Sequence, residues 1–157
     1  MCIRDRYFFE FSESARSFLE GPEQSLWMWR CEHEWDNIQS AWKHYFDEAH
    51  SREKVLRIGI DLNKFLVSRL IERPIAWMAS VLEDGEDLPP SLRGSALTAL
   101  GYWILTVSPD KVRPVTQLDY LESALKVARE TLDMYLEADV TAMLAFEARM
   151  RLSLIHI

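Results

Sequence analysis

The sequence predicts an all-α fold built of antiparallel helix hairpins. Apolar residues recur at helical spacing over long stretches, and strand-like alternation is almost absent. The five glycines, at positions 21, 59, 85, 94 and 101, are isolated, so long helices are seldom interrupted.

A first helix is expected over Phe8–Leu19, with Phe11, Ala15, Phe18 and Leu19 on one stripe. Gly21-Pro22 ends it and opens the next, since proline suits a first helical turn. The second helix runs from Glu23 to about Trp35, through Leu26, Trp27 and Trp29-Arg30-Cys31. A third, from about Asp36 to Ala49, carries Ile38, Ala41, Trp42, Tyr45 and Phe46. Asp36 or Asn37 can cap it, because both accept hydrogen bonds from free amides. Ser51 reads as the N-cap of a fourth helix from Glu53 to about Leu70, with Val55, Leu56, Ile58, Leu62, Phe65, Leu66 and Leu70 apolar. Pro74 opens a fifth over Ile75–Leu82. The acidic stretch 83–90, with Gly85, Pro89 and Pro90, reads as a loop. Ser91 caps a sixth helix reaching about Val107, and Ser108–Pro114 forms a second loop. A seventh helix spans Thr116–Leu132 and an eighth Met134–Arg151.

Helices four and five, then six and seven, form successive hairpins at the period of helical repeats, the sign of a solenoid. The sixth and seventh make the clearest unit. Leu97, Leu100, Gly101 and Ile104 face Leu121, Ala124, Leu125 and Ala128. Small residues at Gly101 and Ala124 permit close approach, and larger neighbours fill the gap. This pattern resembles a tetratricopeptide repeat with a longer turn, so the fold reads as a tetratricopeptide-like α-solenoid fragment. A plain helical bundle of the same periodicity is the alternative.

The two ends look unlike protein. Met1–Arg6 can be written back as ATG TGT ATA AGA GAC AG, and Leu152–Ile157 as CTG TCT CTT ATA CAC AT. The strings are reverse complements, and they look like the transposon end used as an adapter in DNA library preparation. Residues 1–6 and 152–157 are therefore expected to be translated adapter and are set aside from fold reasoning. The remainder divides into a helical junction region, 7–50, and helical repeats, 51–151. A truncated array would lack a capping repeat and expose an apolar face.

The chain carries a formal charge of -7. Without Arg4, Asp5 and Arg6 it becomes -8, since two positive charges and one negative are lost. Such acidity argues against nucleic-acid binding, which needs a positive footprint, and against an anionic membrane surface. No apolar run reaches membrane-spanning length. Outside the adapter tract Cys31 is the lone cysteine, which favours a reducing, cytoplasmic compartment.

Candidate chemistry is sparse. Glu32-His33-Glu34-Trp35-Asp36, with His44 and His50 downstream, is the densest polar constellation. Glu32 and Asp36 have the spacing that shares a helix face, but the histidine needed for a zinc-protease helix is missing. The reading is a charged helix junction; a small helical metalloenzyme is the further alternative. Trp27, Trp35 and Trp42 recur at about two-turn spacing and read as helix contacts more than a ligand pocket. Trp77 and Trp103 read as packing residues. Cys31 lacks a positioned histidine and reads as a structural thiol. Ser91, Ser95 and Ser123 read as caps or exposed positions. Lys111 and Arg113 make a basic loop, while Glu130, Asp133, Glu137 and Asp139 form an acidic end that could guide a partner. There is no phosphate-binding loop. No catalytic, cofactor-binding or metal-binding residue is assigned, and no cofactor is expected.

One stretch is more specific. Gly21-Pro22-Glu23-Gln24, Trp27, then Glu32-x-Glu34-x-Asp36-Asn37-Ile38-x-x-Ala41-Trp42 resembles a junction in the signal-transduction ATPases with numerous domains, including LuxR-type and AfsR-like transcriptional regulators. The family's histidine before the aspartate is replaced here by Trp35, and His33 lies two residues earlier. Pro90–Leu97 and Leu121–Glu130 fit the same layout as the start and close of a repeat. The resemblance implies a non-catalytic sensor or interaction arm, with the nucleotide site upstream. Its implied partners are other domains of the same polypeptide or a protein or peptide, with no direct nucleic-acid or membrane contact. A free-standing tetratricopeptide-like adaptor that binds a peptide is the alternative. Asp36-Asn37 is expected to bend helix two into helix three, because both residues favour helix starts.

Overall fold

The computed structural model describes residues 3–48, 51–84, 88–106 and 114–155. Among them the chain is all-α, with nine helices and no strand. They are α1 (Ile3–Leu19), α2 (Gln24–His33), α3 (Trp35–Asp47), α4 (Arg52–Asp61), α5 (Asn63–Arg69), α6 (Arg73–Asp84), α7 (Pro90–Thr106), α8 (Pro114–Thr131) and α9 (Met134–Ile155). None of them is long and apolar enough to cross a membrane. The chain forms two compact units, 1–87 and 88–157. Helices from both sides of residue 50 thus share one unit.

Most expected boundaries recur, with instructive shifts. The expected fourth helix is two, α4 and α5, parted at Leu62 (φ -94°, ψ 5°). Glu34 parts α2 from α3 with nearly the same angles. Backbone bonds run through both breaks: Leu62 N–H donates to Ile58 O, and Leu66 N–H to Leu62 O. Each break is therefore a one-residue departure in φ and ψ, made without a glycine or proline at the break. The α2–α3 break falls two residues before the expected Asp36-Asn37 bend. Asp36 and Asn37 lie inside the first turn of α3, where Asn37 Nδ2 donates to Glu34 Oε2 at 2.9 Å. Ser51 makes no side-chain cap; its carbonyl accepts from Lys54 and Val55 instead. Ser91 lies within α7, which starts one residue earlier at Pro90. The sequence favours that start, because proline at the first helical position forfeits no intrahelical bond. Residues 85–87 and the expected loop 108–113 lie outside the described residues, as do Lys111, Arg113 and His50.

The first unit gathers α1, α3 and α4 around a ring-rich core. Ala15, Leu19, Ile38, Trp42, Tyr45, Leu56 and Phe65 are all buried. Trp42 Nε1 donates to Val55 O at 3.0 Å, tying α3 to α4. On its other side the Trp42 ring meets Trp77 edge-on at 5.9 Å, which joins α6 to the same core. Helix α6 approaches α4 closely at Gly59, where any side chain would collide with buried Met78.

The second unit is α7, α8 and α9, each packed on the other two. The expected facing residues are there: Leu97, Leu100, Ile104, Leu121, Ala124 and Ala128 are buried, and Leu125 is half-buried. Gly101 lies so near α8 that a methyl group would overlap the side chain of Leu121, which is fully buried.

Both α5 and α8 end in a Schellman turn. After α8, Leu132 N–H donates to Arg129 O and Asp133 N–H to Ala128 O. After α5, Leu70 and Ile71 bond to Val67 and Leu66 in the same pattern. The left-handed position, ordinarily glycine, is leucine in both cases: Leu70 at φ 53° and Leu132 at φ 56°. Each leucine costs roughly 1–2 kcal/mol there, because Cβ crowds the following carbonyl.

Candidate functional site

A recess lies between α2 and α5. Along α2, Ser25, Met28, Trp29 and Glu32 recur at helical spacing and point outward. Lys64 and Ser68, one turn apart on α5, form the opposite wall with Arg69. The recess is an open groove of about 400 Å³. An ion pair between Arg69 and Glu32 closes one side. Ser68 Oγ donates to Phe65 O at 2.9 Å and reaches Met28 Sδ at 3.6 Å, so its hydroxyl is already engaged. Trp29 is exposed, with its ring 3.9 Å from the His33 ring, while His33 Nδ1 lies 2.9 Å from Trp29 O. The groove thus offers an indole, a thioether, an ion pair and a lysine. These groups suit contact with a partner side chain more than bond-making.

The polar constellation of the sequence is dispersed. Glu32 pairs with Arg69, Glu34 accepts from Asn37, and Asp36 is exposed on α3. His44 belongs to another cluster, 3.1 Å from Glu48 Oε1 and 3.5 Å from Asp5 Oδ2. Among the described residues, no group of three or more His, Cys, Asp or Glu is placed to hold a metal. Asp5 is buried and its Oδ1 lacks a hydrogen-bond partner, as does the hydroxyl of buried Tyr45.

The tryptophans do not form one box. Trp27 stacks on Phe18 at 4.8 Å, with the Arg30 guanidinium 4.3 Å from its ring. Trp35 contacts Phe65 at 5.4 Å, and Trp42 contacts Trp77. Trp103 is buried, as a packing role requires, though its Nε1 lacks a hydrogen-bond partner. Ser91 and Ser123 are exposed and Ser95 is half-buried. Cys31 is fully buried, and burial pushes its thiol up to about 12. Such a thiol is inert at neutral pH, since the thiolate is the nucleophile.

Sequence reasoning missed Asp61. It ends α4, buried, with Oδ1 3.6 Å from Arg16 Nη1 of α1. Burial raises its carboxyl from 3.8 to about 6, and Arg16 only partly offsets that. The sequence signal was available: Asp61 lies within an apolar stretch, after Ile58-Gly59-Ile60 and before Leu62.

The chain matches no known protein-family model, no curated protein and no solved structure.

Proposed function

We propose that this chain is a non-catalytic sensor or protein-interaction arm of a multidomain signal-transduction ATPase or transcriptional regulator, of the LuxR-type and AfsR-like kind, acting in the cytoplasm. The observation that carries the reading is the α7–α8 pair. Gly101 seats α7 directly on Leu121, and α9 returns onto both helices. Contact between each helix and the next two is how tetratricopeptide-like arrays bury a continuous core from units that cannot bury one alone. The stretch that resembles the family's junction supports the reading too, since it contains the α2–α3 break at Glu34. In this role the residues supply packing surface. Nucleotide chemistry and DNA contact belong to other domains, in keeping with the acidity of the chain.

The α2–α5 groove favours a second reading, a free-standing adaptor that binds a peptide over Trp29 and Met28. Sequencing across both ends of the gene in its source DNA separates the two. The regulator reading expects residues 1–6 to vanish and the frame to continue upstream into a phosphate-loop ATPase. A start codon just before Tyr7, or an adapter tract that is truly encoded, would sink it and leave the adaptor.

A further inference from the structure

The outer side of α9 leaves apolar residues uncovered in the second unit. Its inner side packs through Leu136 and Val140, both buried. On the opposite side Tyr135, Ala138, Ala142, Ala145 and Phe146 share a face with Asp139 and Arg149, by their spacing. Tyr135 is 89% exposed and Phe146 56%. A helix apolar on all sides is ordinarily covered on all sides. Helix α7, more apolar still, shows this: Leu92, Ala96, Leu97, Ala99, Leu100 and Trp103 are buried around its girth.

We propose that the outer face of α9 is a self-docking surface, on which α9 of a second copy of this chain lies antiparallel about a two-fold axis near residue 144. The charges select that occupant and that direction. Asp139 and Arg149 stand on the same face ten residues apart, about 15 Å along the helix. Neither has an ion-pair partner among the described residues. In the antiparallel register each Asp139 meets Arg149 of the other copy, so two ion pairs flank the axis. The same register lays Phe146 over Ala142 of the other copy, twice, because both pairings are symmetric about residue 144. Alanines along the seam allow close approach of the helix axes. A parallel pair would set Asp139 against Asp139 and Arg149 against Arg149. Antiparallel pairing also opposes the two helix dipoles.

The test is sedimentation equilibrium on the 157-residue chain, with circular dichroism to confirm that each variant is folded. The two charged residues are exposed, so their replacement should leave the fold intact. The chain should dimerise. D139R and R149D should each weaken the dimer on the order of tenfold, since two like-charge contacts replace two attractive ones. An equimolar mixture of D139R and R149D should restore wild-type affinity, because both contacts of the mixed pair are then attractive. The double variant should recover alone for the same reason. A chain that stays monomeric to a few hundred micromolar would overturn the proposal and leave the face to a different polypeptide. A dimer whose affinity ignores both single variants, or a mixture no tighter than its components, would overturn it too.

Discussion

Residues 3–84 fill their core with rings, and polar atoms enter with them. Trp42, Tyr45 and Phe65 are fully buried; Trp42 brings an N–H that must find Val55, Tyr45 a hydroxyl that finds nothing, and Asp61 a carboxyl half-neutralised by Arg16. Residues 88–155 fill theirs mostly with small and aliphatic groups, Trp103 and its unpartnered Nε1 being the exception; Gly101, Ala124 and Ala128 set the helix spacing and Leu97, Leu100 and Leu121 occupy it. Large rings span helices held apart, so deletion should hurt most there. Small residues bring backbones together, so addition should hurt most. The ring-rich core should also answer to pH.

The severest break of this comparison is Trp42→Ala. Truncating a buried tryptophan costs about 3–5 kcal/mol, and chemical denaturation should show the first unit losing most of its stability. The next test sharpens the contrast in pH dependence. The folded carboxyl of Asp61 is raised from 3.8 to about 6. Its contribution is therefore most favourable below about pH 4 and is lost as pH rises through about 6. Asp61→Asn lacks this loss, so its stability relative to wild type should climb by about 2 kcal/mol between pH 4 and 7. A difference that stays flat across that range would remove Asp61 as its source. Gly101→Leu comes third. Overpacking against buried Leu121 should cost the second unit about 1–3 kcal/mol in thermal unfolding; unchanged stability would refute the close α7–α8 contact. Smallest is Arg69→Ala. Its ion pair with Glu32 is about half exposed, so the loss should stay under about 1 kcal/mol, and a larger one would mean that the groove wall itself has shifted.

How much of this could be read beforehand depended on where the cause lay. The α7–α8 contact was legible because Gly101 and Ala124 sit at helical spacing among leucines, and local pattern and tertiary packing agree there. The start of α7 was read from Ser91 as a cap, with Pro89 and Pro90 left in the loop, whereas α7 takes in Pro90. The Leu62 break was not read, although Asp61 and Asn63 flank it and both are weak helix formers that favour helix ends and starts. The cap at Ser51 was overread: serine suits an N-cap, but here its side chain makes no capping bond. The groove was half visible. Glu32 was singled out, yet its partner Arg69 lies 37 positions later, and no local signal joins them.

Leu132 carries a consequence for the order of events in folding. An elbow whose pivot residue resists the left-handed conformation cannot initiate the hairpin that contains it. Helices α8 and α9 must meet first, through Ala128, Leu136 and Val140, and the turn closes under their grip. The pivot is then formed only on the native side of the rate-limiting barrier. Replacing Leu132 with glycine should slow unfolding while leaving the folding rate nearly unchanged. Stopped-flow rates over a range of denaturant would show it, and a comparable gain in folding rate would place the turn among the first contacts made.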